Sequence, residues 1–202
     1  MTGFPRSGTT LTGRILASQP GVAYADESLV TTQALARLAD SRGDSAGTQR
    51  EYYAWAMKAA LNLKPNNVLV DKNPAVCGAL SPLQRLLPEM RVLWCRRDPR
   101  DVLVSCYLSG LPPNPFTATF RDPMSLARHI VSVSKTWQTQ RDQLGPEGWR
   151  EVSYEQVARE GARVVLDACD GWAGLDLDTT VDYRQAAALA EVNSPTYADV
   201  VK

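Results

Sequence analysis

The chain has 202 residues, 44% of them hydrophobic and 22% charged, with 22 Lys and Arg balanced by 22 Asp and Glu. That length holds one α/β domain with a sizeable core, spanning residues 1–202, and leaves little room for a second. A formal net charge of zero argues against a nucleic-acid or membrane-surface protein, and no run approaches the roughly 20 apolar residues that span a bilayer.

In chain order, the residues read as short apolar runs alternating with stretches of helical periodicity. Residues 1–4 form the first candidate strand, which is short for a central one and suggests that the sequence begins inside it. GFPRSGTT follows, with the glycine spacing of a nucleotide-phosphate loop but Thr9 where such a loop carries its lysine. Helices are predicted over 9–18, 27–39 and 48–61, with a flexible connection over 41–47. VLVD at 68–71 is the second strand, followed by a helix over 80–86. RVLWCR at 91–96 is the third strand and leads into a helix over 100–108. The Pro-rich and Gly-rich stretch 109–121 reads as a loop or lid before a long helix over 123–144. WREVSY at 149–154 is the fourth strand, and a helix is predicted over 155–169.

Short, continuously apolar strands between helices predict an open, doubly wound α/β fold like that of the P-loop NTPases. Its parallel sheet carries helices on both faces, and its site lies at the carboxyl ends of the strands. Arg6 and neighbouring polar residues interrupt any secretory apolar core at the N-terminus. Cys77, Cys95, Cys106 and Cys169 show no CxxC spacing and no histidine at zinc-site intervals. They read as buried free thiols, and the expected location is the reducing cytoplasm.

Two segments carry chemistry. In GFPRSGTT, a strand ends in glycine and a helix starts after a second glycine, so loop amides and the helix N-terminus point at one place. Ser7, Thr9 and Thr10 add hydroxyls there, and Arg6 adds a charged fork suited to anionic oxygens. The alternative is a Ser- or Thr-capped helix after a turn. In LWCRRDPRDVLVSC, a strand delivers Arg96 and Arg97 to its end, Asp98-Pro99 opens a helix, and Ser105 follows roughly two turns later. That Arg–Ser pair suits a second phosphate. The alternative is a salt-bridged turn of Arg97 and Arg100 with Asp98 and Asp101.

Together the segments resemble the sulfotransferase superfamily that uses 3′-phosphoadenosine 5′-phosphosulfate (PAPS) as donor. P-R-S-G-T-T is similar to its 5′-phosphosulfate loop and C-R-R-D-P-R-D-V-x-x-S to its 3′-phosphate motif. The nearest likeness is to the bacterial tetratricopeptide-linked sulfotransferases and the tyrosylprotein sulfotransferases, which share the loop arginine. A-D-E at 25–27, V-D-K-N-P at 70–74, V-S-Y-E-Q-V at 152–157 and V-N-S-P-T-Y at 192–197 resemble later motifs in the same order. The chain departs from the pattern at Ala25, where a glycine is usual, and at Ser194, where a glutamine is usual. It also ends at Lys202, before a later G-R-W-like stretch of the relatives.

The resemblance implies sulfuryl transfer to a hydroxyl or amine, leaving adenosine 3′,5′-bisphosphate and using no metal. Arg6, Ser7, Gly8, Thr9 and Thr10 would hold the 5′-phosphosulfate, Arg97 and Ser105 the 3′-phosphate, and Tyr154 would pack on the adenine. Lys72 would offset charge on the leaving oxygen, with Arg6 assisting, and Glu27 would be the base, with Asp26 as its rival. Glu27 as a first-turn helix carboxylate is the structural alternative. His129, the only histidine, reads as a helix-face residue. The acceptor is left open among a peptide tyrosine, a carbohydrate, a lipid and a small-molecule hydroxyl. Two other readings are a P-loop kinase or NTPase with a degenerate loop and Asp71 on Mg²⁺, and a nucleotide-binding module without turnover.

Overall fold

The structure is a computed structural model, and it describes residues 1–40, 45–109, 111, 117–178 and 180. Among these are five strands: β1 (Thr2–Gly3), β2 (Val22–Asp26), β3 (Val68–Lys72), β4 (Val92–Arg96) and β5 (Trp149–Ser153). β4 pairs in parallel with β1 and β5, and β2 pairs in parallel with β3. Two backbone bonds join the pieces: the Met1 nitrogen donates to Asp71 O at 2.7 Å, and Asn73 N–H donates to Met1 O at 3.1 Å. The strand order is therefore β2-β3-β1-β4-β5, with every pairing parallel. Below Met1, the facing edges of β3 and β4 border an apolar cavity of about 340 Å³ lined by Val68, Val70, Val92 and Leu93.

β4 is buried along VLWC, as a central strand covered on both faces must be. One face packs Leu93 and Val152 against Ile15 and Leu16 of α1 (Thr9–Ala17) and Val165 and Leu166 of α8 (Arg163–Cys169). The other packs Val92 and Trp94 against α4 (Leu80–Leu86) and α6 (Pro123–Leu144), where Trp94 and Trp137 stack at 4.5 Å between centroids. Phe4 anchors a third cluster, with Val102 and Cys106 of α5 (Pro99–Leu108) and Phe120, Leu126 and Ile130. α2 (Leu29–Ala39) and α3 (Ala46–Leu61) cover β2 through Ala34, Tyr53 and Met57.

Four features differ from the sequence expectation. VAYAD at 22–26 forms a strand that the apolar-run pattern does not reveal, because its alanines carry little β signal and its residues are mostly half-buried. The helix expected over 155–169 is two, α7 (Tyr154–Glu160) and α8, because Gly161 takes φ 80° between them. The second helix begins at Leu29 rather than residue 27, since Ser28 caps it by accepting from Val30 N–H. Thr117–Arg121 forms a 3₁₀ turn inside the segment expected to be loop. Residues 110 and 112–116 of that segment, 41–44 of the earlier connection, and the 192–197 motif with Ser194 lie outside the described residues. All four cysteines are free and buried. No described helix is long and apolar enough to cross a membrane.

Candidate active site

The chain leaves β1 through a tight turn in which Ser7 N–H donates to Phe4 O at 3.0 Å. Arg6 and Gly8 both occupy the left-handed region, at φ 69° and 93°. For Gly8 this is unstrained, and a Cβ there would also lie 2.7 Å from Cδ2 of Tyr154. For Arg6 it is unfavourable by about 1–3 kcal/mol, an arrangement that persists where the surroundings impose it. Gly8 is the N-cap of α1, and among the described residues no side chain caps that end. Ser7, Thr9 and Thr10 are buried, and Ser7 Oγ has no hydrogen-bond partner among the described residues. An uncapped helix N-terminus beside a buried, unmatched hydroxyl fits an anion.

The end of β4 meets this loop from the other side. Arg6 Nε donates to Ser105 Oγ at 2.9 Å, and Arg97 Nη1 donates to Arg6 O at 3.0 Å. The Arg97 guanidinium lies over the Tyr154 ring, 4.2 Å from its centroid. Arg96 points the other way, pairing with Glu151 at 2.7 Å. The salt-bridged turn considered from sequence exists in part: Arg100 pairs with Asp98 at 2.6 Å, and that hydrogen bond holds the Asp98 carboxyl below its ordinary range. Arg97 does not join it and faces the loop instead. Glu155 ties α7 to this turn, accepting from Asp98 N–H at 2.7 Å and from Ser153 Oγ at 2.6 Å. Partial burial pushes its pKa up, but these donors, its own backbone N–H and the nearby Arg96 charge together outweigh it, and the net shift is downward.

The third part lies where β2 and β3 end side by side. Their parallel register sets Asp26 opposite Lys72. Lys72 Nζ donates to Glu27 Oε1 at 2.6 Å and lies 2.7 Å from Asp26 Oδ1, out of line for a hydrogen bond. The lysine is 1% exposed, whereas the Glu27 side chain is 52% exposed. Behind them Arg14 of α1 approaches Asp26 Oδ2 at 3.9 Å and lies over the Tyr24 ring. Glu27 is not a first-turn helix residue: it precedes the Ser28 cap, with φ 55°. Like Arg6, it is a non-glycine residue in the left-handed region.

Asp71 faces away from this group. It accepts hydrogen bonds from Thr31 Oγ1 and Tyr53 Oη, so its carboxylate is turned into the α2–α3 layer rather than toward the loop. His129 sits edge-on to Phe4 and Phe120, and burial lowers its pKa. Sequence reading named Arg6, Ser7, Gly8, Thr9, Thr10, Arg97, Ser105 and Tyr154 for one cluster, and the fold brings them together. It also pairs Glu27 with Lys72. Arg14 and the Asp26–Lys72 pairing were missed, because both depend on β2, whose strand character the residue pattern does not show.

An open parallel sheet whose first strand feeds a glycine loop and an uncapped helix defines an α/β protein with a P-loop-like fold. The chain belongs to the sulfotransferase family, whose family model matches residues 1–179. A sulfotransferase from Alicyclobacillus acidocaldarius superposes with a TM-score of 0.58 at 17% identity, covering 93% of this chain and 88% of that one. Sulfotransferase STF9 from Mycobacterium avium superposes with a TM-score of 0.59 at 15% identity, covering 100% of this chain and 71% of that one. At these identities the likeness is one of fold, and family and fold together support a sulfuryl-transferring enzyme.

Proposed function

We propose that the protein transfers a sulfuryl group from PAPS to an acceptor hydroxyl or amine at this site. When bound, PAPS supplies an activated sulfuryl group, and adenosine 3′,5′-bisphosphate is the product. The observation that carries the reading is the bond from Arg6 to Ser105, which joins two anion-suited elements from separate parts of the chain. One is the loop and helix N-terminus after β1. The other is the arginine and serine that follow β4. A donor with phosphates at both ends of a nucleoside suits that pair better than a triphosphate does.

Placement supports a role for each residue. The loop amides, Ser7, Thr9, Thr10 and Arg6 hold the reacting end, where positive charge preorganised in a partly dry site favours transfer. Gly8 lets the Tyr154 ring close over the loop, and Tyr154 is the residue assigned to the adenine. Arg97 and Ser105 take the 3′-phosphate. Lys72, buried and held by carboxylates, is the ammonium assigned to offset charge on the leaving oxygen. Among the described residues Glu27 has one cationic contact and an open side chain, so it can receive the acceptor proton, whereas Asp26 is enclosed between Lys72 and Arg14. The free, buried thiols suit a reducing compartment.

Incubating the protein with sulfur-labelled PAPS and a panel of hydroxyl acceptors tests the reading, the panel spanning peptide tyrosine, sugar, lipid and phenol. Label in an acceptor, lost in Lys72→Met, is the expected result. Donor binding with no labelled product from any class would make the chain a nucleotide-binding module instead.

A further inference from the structure

We propose that Arg97 is a positioning residue for the loop that carries Arg6, a role separate from any contact with the donor; the inference rests on the reading of this loop and its neighbours as a PAPS site. Arg6 holds a left-handed backbone at φ 69°. A long side chain keeps that conformation only where neighbouring groups over-determine it. The Arg6 carbonyl accepts from Arg97 Nη1 at 3.0 Å, a bond from a charged donor that fixes the peptide plane directly after Arg6.

The same guanidinium reaches the loop a second way. Its face lies 4.2 Å from the centroid of the Tyr154 ring, and that ring covers Gly8 so closely that a Cβ there would be 2.7 Å from Cδ2. Arg97 therefore braces Arg6 by its edge and Gly8 through the ring against its face. A planar fork does both at once, whereas a lysine ammonium would do one or neither. The adjacent Arg96 cannot substitute, because strand alternation turns it outward to Glu151. The arginine at the 3′-phosphate end of the site thus shapes the loop at the reacting end before any donor arrives.

A residue that only reads the 3′-phosphate would raise KM for the donor and leave kcat at saturation unchanged. It would also leave the donor-free loop unaltered. The test uses the full chain with Arg97→Ala and Arg97→Lys, the second guarding against a variant that fails to fold. Amide hydrogen exchange across residues 4–10 is measured without ligand, and kcat at saturating PAPS is measured beside KM. We expect exchange in the loop about tenfold faster or more in Arg97→Ala, as loss of one charged hydrogen bond implies, and faster than the wild type in Arg97→Lys, which keeps at most one of the two contacts. We also expect kcat to fall by about tenfold even at saturation, with exchange in β5 and α8 unchanged.

Loop exchange equal to that of the wild type, or an effect confined to KM, would overturn the positioning role and leave the proposed function intact. Absence of transfer by the wild-type protein would instead remove the proposed function, and this inference with it.

Discussion

Lys72 Nζ donates to Glu27 Oε1 at 2.6 Å, joining a side chain that is 1% exposed to one that is 52% exposed. The fixed member of the pair is the cation. Lys72 sits at the end of β3 among close-packed strands, whereas Glu27 stands in the turn between β2 and the cap of α2. Proton transfer needs the partner that can reach an acceptor, and charge stabilisation needs the one that stays put. Lys72→Met would leave two carboxylates without their shared ammonium. Without it the enclosed Asp26 faces only Arg14, so the urea midpoint falls, and transfer is lost by a factor of about 100 or more. An unfolding curve superposable on the wild type would show that the pairing contributes nothing to the folded state.

Glu27→Gln keeps the size of the side chain and removes its basicity. Transfer falls by about 10²- to 10⁴-fold, while affinity for adenosine 3′,5′-bisphosphate, measured by calorimetry, stays within about twofold. Asp26→Asn separates the two carboxylates. If Asp26 were the base, its variant would show the larger loss of transfer and Glu27→Gln would retain most of its activity.

Gly8→Ala meets two obstacles at once, φ 93° and the Tyr154 ring. Alanine in a left-handed position destabilises by more than about 1 kcal/mol, and here the ring must also move. A lower melting temperature together with weaker bisphosphate binding is expected. Binding lost without any change in melting temperature would mean that the loop tolerates the Cβ and that only the donor contact suffers.

The thiols give a pH dependence. Burial pushes Cys77 and Cys95 up to about 11 and Cys106 and Cys169 up to about 12, from an ordinary value of 9.0. Above pH 9 the unfolded chain releases these protons and the folded one does not, so their stabilising contribution is complete below pH 9. It is lost progressively as pH rises toward 11 to 12. Urea unfolding at pH 8 and pH 10.5 measures the loss, and a thiol reagent at pH 8 should label the native protein only after denaturation. Rapid labelling of the native protein would contradict the burial.

Much of the architecture was legible because its signals are local. β4 is a run of apolar residues bounded by charges, and Asp98-Pro99 and Asp122-Pro123 carry cap and first-turn signals that the helices obey. The loop could be read because its glycines and hydroxyls do their work within a few residues. What escaped depends on long-range pairing. β2 is a strand because β3 lies beside it, and without that pairing VAYAD carries no period that distinguishes it. Missing β2 hid the register that sets Asp26 against Lys72, and with it Arg14. The break at Gly161 was present in the sequence as a glycine, but a glycine inside a helical pattern does not announce a left-handed turn.

Calorimetric titration of the wild type and of Arg97→Ala with adenosine 3′,5′-bisphosphate, and separately with ATP and Mg²⁺, tests the central claim most directly. The account predicts that the wild type binds the bisphosphate well ahead of ATP, and that Arg97→Ala loses about 10-fold or more of that preference through the 3′-phosphate. Equal affinity for the two nucleotides, unchanged in Arg97→Ala, would contradict it.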